Sequence, residues 1–337
     1  LYKLYPSPIL LSSLQAFLIS SGIYFLHHFN SSKSHFNIII LAYLLYFPIW
    51  YNALFDFHVD HLSVPLMFLF YFGCYRKKWL ICAISSMLLA LVKEPFAIVT
   101  VFSGVYLVLR WRRYRLGFFL SLFGALYFYV ATFIILPQFS FGLGAGYDSE
   151  AYAWLGKTVT EILLSIFTNP YEILKEIVSD SKKMVYLTSV LGALFFIPIF
   201  GFFELIPALP ILGISLLSTV ENHYGIGHHY TAGLIAPMIV GFSMGLPKVE
   251  RAICHLARHS IKEEKIKKWL AATVVTWMIM INFLISPSPI SRIFWSNKVW
   301  NYGIESYIPT DRDAMIKKAI NKYIPRDKDI AVSSQNT

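Results

Sequence analysis

Residues 36–46 read FNIIILAYLLY. Apolar and polar residues do not alternate along this stretch, so it is not the strand of a transmembrane barrel. Lipid offers no hydrogen bonds, so an apolar run must close its own backbone bonds, and a helix does this within one segment. Similar runs recur along the whole chain. Of 337 residues 56% are hydrophobic and 14% charged, where a soluble domain carries roughly 25% charged residues. The class is an all-α polytopic membrane protein. About ten transmembrane helices are expected, near 8–27, 36–54, 61–75, 79–92, 95–109, 116–137, 185–203, 205–221, 230–247 and 269–286. Residues 1–286 form the transmembrane helical domain and 287–337 a tail.

The net charge of +10 does not point to nucleic acid, because the basic residues gather in short links between apolar runs. One set of links holds Lys33, Arg76, Lys77, Lys78, Arg110, Arg112, Arg113 and Arg115, and the seven Lys and Arg residues of 248–268. The alternate set holds fewer: Lys3, Lys93, and Lys157, Lys175, Lys182 and Lys183 of the 138–184 loop. The richer set is assigned to the cytoplasm. The protein is then a multi-pass plasma-membrane protein with Asp56–His61, Lys93-Glu94, loop 138–184, Glu221–His229 and the tail outside. Cys74, Cys82 and Cys254 show neither a disulfide framework nor metal spacing.

That sorting used only Lys and Arg, yet most acid and histidine clusters near a span fall on the outer face. The exceptions are His27-His28 and the 248–268 link, read as an interfacial pair and as an orientation determinant touching anionic lipid. The first outer cluster runs from Asn52 to His61, NALFDFHVDH, followed by Leu62-Ser63-Val64-Pro65. Two readings stand. Asp60 or Ser63 caps the helix that starts near Pro65, with His61 among the headgroups. Alternatively Asp56, His58 and Asp60 share one face of an extended segment, which suits a general base or a divalent cation. A helix would align only Asp56 and Asp60. A charge held at mid-bilayer costs roughly 2.5–3.5 kcal/mol, so these groups are placed against a wet cavity.

Lys93-Glu94-Pro95 is either an exposed turn or a phosphate grip, with Lys93 as point charge and Glu94 orienting it. Glu221 to Tyr230, ENHYGIGHHY, is either a glycine-rich turn with interfacial Tyr and His or a donor site using His228, His229 and Tyr230. It lacks a known metal-ligand spacing such as HExxH. In loop 138–184, Phe141–Tyr147 is glycine-rich but not a phosphate loop, and Tyr171–Val178 reads as an amphipathic surface helix. Pro198, Pro207 and Pro210 are expected to split the next apolar stretch into a tight pair of spans. In the tail, Thr310–Asp313 reads as a helix cap. A helix to Tyr323 and a strand start at Ile330–Val332 then suggest the beginning of a soluble α/β domain. A chain opening at Leu1 and stopping at Thr337 reads as an excerpt of a longer protein.

Phe57-His58-Val59-Asp60, with Pro65-Leu66 after it, resembles the Phe-His-x-Glu/Asp signature of the DUF2079 family of predicted membrane proteins. Lys93-Glu94 resembles that family's Lys-Glu-Asp motif, with Pro95 in place of the acid. Leu216-Leu217-Ser218 through His229-Tyr230 to Pro237 resembles its closing motif. Ile324-Pro325 leading to Val332-Ser333 resembles its post-membrane segment. That family in turn resembles the GT-C class of integral-membrane glycosyltransferases. The resemblance implies a GT-C-like fold, a polyprenyl-phosphate-linked sugar donor and an extracytoplasmic acceptor. In that class an acid of the first outer loop usually acts as base or metal ligand, and here that loop would lie before Leu1. The residues expected near the reacting centre are Asp60 and His58, with Asp56 beside them. Lys93, Glu94, His228, His229 and Tyr230 are expected to bind donor, with a divalent cation left open as cofactor. The alternatives are a membrane transporter or lipid flippase, and a non-catalytic membrane scaffold.

Overall fold

The computed structural model describes residues 8–26, 29, 33–139, 149–257, 261–296 and 302–323, and every regular element within them is helical. The α-helices in order are α1 (Pro8–Ser20), α2 (Gly22–Leu26), α3 (Lys33–Leu45), α4 (Phe47–Leu54), α5 (Ser63–Tyr75), α6 (Trp79–Ala90), α7 (Glu94–Trp111), α8 (Tyr114–Val130), α9 (Leu136–Phe139), α10 (Val159–Thr168), α11 (Pro170–Ser179), α12 (Ser181–Gly192), α13 (Leu209–Leu217), α14 (Ala232–Leu256), α15 (Glu263–Ile285) and α16 (Asp311–Tyr323). Single 3₁₀ turns, Val59–Leu62 and His229–Thr231, lead into α5 and α14.

Six segments among the described residues are long and apolar enough to cross a membrane. They are Ile9–Leu26, Glu94–Trp111, Tyr114–Phe139, Ile197–Leu217, His229–Leu256 and Glu263–Ile285, with a seventh if α3 and α4, bent by 42°, count as one. The expected ten is therefore not reached on length and composition. Helices α5 and α6 have 13 and 12 residues, short of the ~20 a straight span needs. The expected pair at 185–203 and 205–221 is α12 followed by one continuous apolar segment, Ile197–Leu217. Pro198 and Pro210 do not cut it, because they occupy first turns, of a 3₁₀ helix and of α13; Pro207 lies inside the 3₁₀ stretch, and the backbone leaves helical geometry at Gly201 instead. A first turn loses no hydrogen bond to proline.

The core is organised on α14, which is buried along most of its length. Gly241 and Gly245, four residues apart, let the 197–208 stretch press against it. A Cβ at Gly201 or Gly245 would run into the carbonyl oxygens of Gly241 and Ile197. Close backbone approach of this kind drives helix association in lipid, where apolar burial alone gives no net gain.

Residues 149–184 of the expected loop are more ordered than a loop. Thr158 caps α10 by accepting from the Glu161 amide, and Asp180 caps α12 by accepting from the Lys182 amide at 2.8 Å. Trp154 Nε1 donates to the Leu217 carbonyl at 2.8 Å and docks the segment on α13. The amphipathic helix expected at Tyr171–Val178 is α11, with Tyr171, Leu174 and Val178 exposed. The cap expected at Thr310 forms reciprocally: Thr310 N donates to Asp313 Oδ2 at 2.7 Å, and Asp313 N to Thr310 Oγ1 at 3.3 Å. His27-His28, Phe141–Tyr147, Ile324-Pro325 and the strand start at Ile330–Val332 lie outside the described residues.

Candidate functional site

Helices α5, α7 and α14 all begin at one end of the bundle. Pro95 in its first turn fixes where α7 starts and leaves Lys93 extended just before it. The chain entering α5 is extended as far as His58 and then tightens into the 3₁₀ turn carrying Asp60 and His61. Helix α1 holds this entry in place. Gln15 Nε2 donates to the carbonyls of Asn52 at 2.8 Å and Phe55 at 2.7 Å, filling acceptors that the end of α4 leaves open. Asn52 Nδ2 then donates to Thr231 Oγ1 at 2.6 Å, tying α4 to the turn that carries His229.

The result brings four of the expected residues together. Lys93 Nζ lies 3.7 Å from Asp60 Oδ2, with the carboxylate 9% and the lysine 34% exposed. The His58 and His229 rings stack with centroids 3.6 Å apart and planes 10° apart. One ligand-capable atom from each of His58, Asp60 and His229 lies within 4.8 Å of the other two. Phe55 covers both imidazoles, at 5.4 Å from His58 and 5.3 Å from His229. Tyr230 closes the far side at 4.2 Å from His229. His61 is fully buried next to this group, with neither ring nitrogen bonded to a protein atom. His229 Nδ1 and Asp60 Oδ2 are also buried without a hydrogen-bond partner.

Several expectations need correction. Asp56 is exposed and outside the cluster, because the chain changes from extended to 3₁₀ between Asp56 and Asp60 and the shared face is lost. Neither Asp60 nor Ser63 caps α5; Ser63 Oγ is buried without a partner. His61 is inside the protein, not among headgroups. Among the described residues Lys93 pairs with Asp60, and Glu94 makes no ion pair with it. His228 packs on the edge of Phe55 at 5.6 Å, outside the group of ligand-capable atoms. Burial, then the neighbouring His223, holds its imidazole below the ordinary histidine range. Glu221 is spent on Lys182, and His223 Nδ1 on Ser218 Oγ at 2.8 Å. In the basic 248–268 link, part of the charge is compensated internally: Lys267 Nζ lies 3.3 Å from Glu250 and 2.6 Å from Glu263.

A second polar cluster, at the other end of α7, was not anticipated. Glu204 is 1% exposed. Its Oε1 accepts from Tyr75 Oη at 2.7 Å and from Arg110 Nε at 3.4 Å, while its backbone carbonyl accepts from Tyr71 Oη at 2.5 Å. The sequence signal was available, since one acid in FGFFELIPALP is costly in an apolar run unless paired.

Chemically, the Lys93 end offers a buried carboxylate that can take a proton. It also offers a partly exposed cation at a helix N-terminus, where anions are favoured, and imidazoles able to act as bases or ligands. The three ligand-capable side chains could hold one metal ion.

No curated protein and no solved structure matches the chain. The model of one family, described as "Predicted membrane protein (DUF2079)", matches residues 1–335. Its span covers the His58–Asp60, Lys93 and His229 motifs, and the chain belongs to the DUF2079 family of predicted membrane proteins.

Proposed function

We propose that this protein is an integral-membrane glycosyltransferase of GT-C type, using a polyprenyl-phosphate-linked sugar on the extracytoplasmic face of the plasma membrane. The observation that carries this reading is the Asp60–Lys93 pair beside His58 and His229, assembled where three helices begin. Asp60 or His58 accepts the proton of the acceptor hydroxyl as it attacks the anomeric carbon. Lys93 and the N-terminus of α7 stabilise the departing phosphate. The acceptor is a lipid, glycan or protein.

The ion pairs at both ends of α7 also support more crossings than six. The chain from Asp60 to Tyr75 joins the Lys93 end to the Arg110 end, so it covers the same depth as α7. Helix α6 returns over that depth. Lys182, at the start of α12, pairs with Glu221 near the Lys93 end, while Ile197 meets Gly245 far along α14. Adding these three passes to the seven segments supports about ten.

The test is sugar transfer from a polyprenyl-phosphate donor by the full-length protein in lipid. Turnover lost in Asp60→Ala and Lys93→Ala supports the assignment; unchanged turnover in both removes it. The transporter or flippase reading draws on the bend between α3 and α4, since broken helices line transport sites. Flux of lipid-phosphate across proteoliposomes without sugar transfer would favour it. Neither flux, transfer nor lipid-phosphate binding would leave a scaffold.

A further inference from the structure

We propose that His58, Asp60 and His229 bind a divalent transition-metal ion of the Zn²⁺ class, with at least one coordination position left open. This does not depend on the glycosyl-transfer reading. Two imidazoles and one carboxylate form a borderline-soft donor set that suits Zn²⁺ and its neighbours. Mg²⁺ and Ca²⁺ favour all-oxygen shells. Catalytic zinc sites use three protein ligands and keep a fourth position for water or substrate.

The donors are gathered, and one side-chain rotation separates them from a site. Donors on one tetrahedral ion with bonds of about 2.0–2.2 Å stand roughly 3.3–3.6 Å apart. Here the three atoms lie within 4.8 Å of one another, but the His58 and His229 rings stack in parallel and their in-plane lone pairs do not converge, so binding requires the half-buried His58 to rotate out of the stack. Two of the donor groups have reason to accept an ion. Asp60 is 6% and His229 5% exposed, and Asp60 Oδ2 and His229 Nδ1 are buried with no protein hydrogen-bond partner. A buried polar atom in that condition is costly, and a metal ion bound by Asp60 and His229 would relieve that cost. Lys93 Nζ faces the same Oδ2 at 3.7 Å, beyond hydrogen-bond distance, and a carboxylate with about four lone-pair sites can serve an ion and an ammonium together. Nor do the nearby helix N-termini decide the matter. Each disfavours a cation only weakly, against the far larger free energy of metal–ligand bonds.

The full chain in nanodiscs, stripped with a chelator, is titrated with Co²⁺ as a visible-spectrum probe and with Zn²⁺ as competitor. The expected result is one ion per chain, with the d–d bands of four- or five-coordinate Co²⁺, displaced by Zn²⁺. His58→Ala, Asp60→Asn and His229→Ala each weaken binding at least tenfold, and His223→Ala leaves it unchanged. In the wild type, Zn²⁺ shields His58 from diethylpyrocarbonate while His223 reacts as before, a readout that survives even if a variant misfolds. Failure to retain Co²⁺, equal retention in the three variants, or no shielding of His58 would overturn the proposal.

Discussion

Helix α7 carries a charged cluster at each end, and the two are built on opposite principles. Lys93 and Arg110 are separated by about 25 Å along the axis, at 1.5 Å per residue. At the Arg110 end Glu204 Oε1 and the Glu204 carbonyl have donors at hydrogen-bond distance, and Arg110 also lies over Trp111 at 5.2 Å. At the Lys93 end, Asp60 Oδ2, both nitrogens of His61 and His229 Nδ1 are buried without a hydrogen-bond partner. A saturated buried network fixes a fold, whereas a half-satisfied one costs stability. Destabilised arrangements of the second kind are tolerated where a ligand or a reaction uses them. The difference is the reason the Arg110 end is read as structural and the Lys93 end as the candidate site, without reference to sequence motifs.

The largest expected effect comes from breaking the Lys93 end chemically. If Asp60 rather than His58 is the proposed base, Asp60→Asn should lower sugar transfer by 10²- to 10⁴-fold, the usual contribution of general acid–base catalysis. Its unfolding free energy should fall by no more than about 1 kcal/mol, because what is lost is a 3.7 Å ion pair with the one-third-exposed Lys93 and no hydrogen bond to Oδ2. Glu204→Gln should do the reverse. Hydrogen bonds to a charged group are worth about 1.5–3 kcal/mol, and Arg110 is exposed enough to recover water, so a loss of about 2 kcal/mol in chemical denaturation is expected with transfer within a few-fold of wild type.

His61→Phe sharpens the contrast through its sign. Replacing a buried polar ring that has no protein partner by an apolar ring of similar shape should stabilise the fold, by about 1 kcal/mol, read as a higher midpoint of unfolding. A destabilised variant would mean that His61 belongs to a satisfied network after all. Glu94→Gln should have the smallest effect, under twofold on transfer, because Glu94 makes no ion pair with Lys93.

The membrane class and most spans were legible because lipid forces one solution on any long apolar run. The gathering of His58, Asp60, Lys93 and His229 was legible for a different reason: counting Lys and Arg alone placed them on one face. What stayed hidden depended on local backbone geometry or on tertiary partners. The switch from extended to 3₁₀ between Asp56 and Asp60 decides which acid joins the site, and periodicity does not show it. Gln15 and Asn52 read as ordinary polar residues until their acceptors, the end of α4 and Thr231, are brought to them by the fold. Glu204 was the avoidable miss, since a single acid inside an aromatic run already asks for a partner, and Arg110 lay in a link counted only for orientation. The 138–184 segment carried its own signals in Thr158, Glu161 and Asp180, which are cap residues at helix spacing.

The most direct test of the contrast between the two ends is thermal unfolding with and without polyprenyl phosphate, for wild type, Glu204→Gln and Lys93→Ala. A ligand at one hundred times its dissociation constant stabilises the state it binds by about 2.7 kcal/mol. The expected result is a clear upward shift in wild type and in Glu204→Gln, whatever their starting midpoints, and little or none in Lys93→Ala. Equal shifts in all three proteins, or a shift lost in Glu204→Gln and kept in Lys93→Ala, would contradict the assignment of function to the Lys93 end.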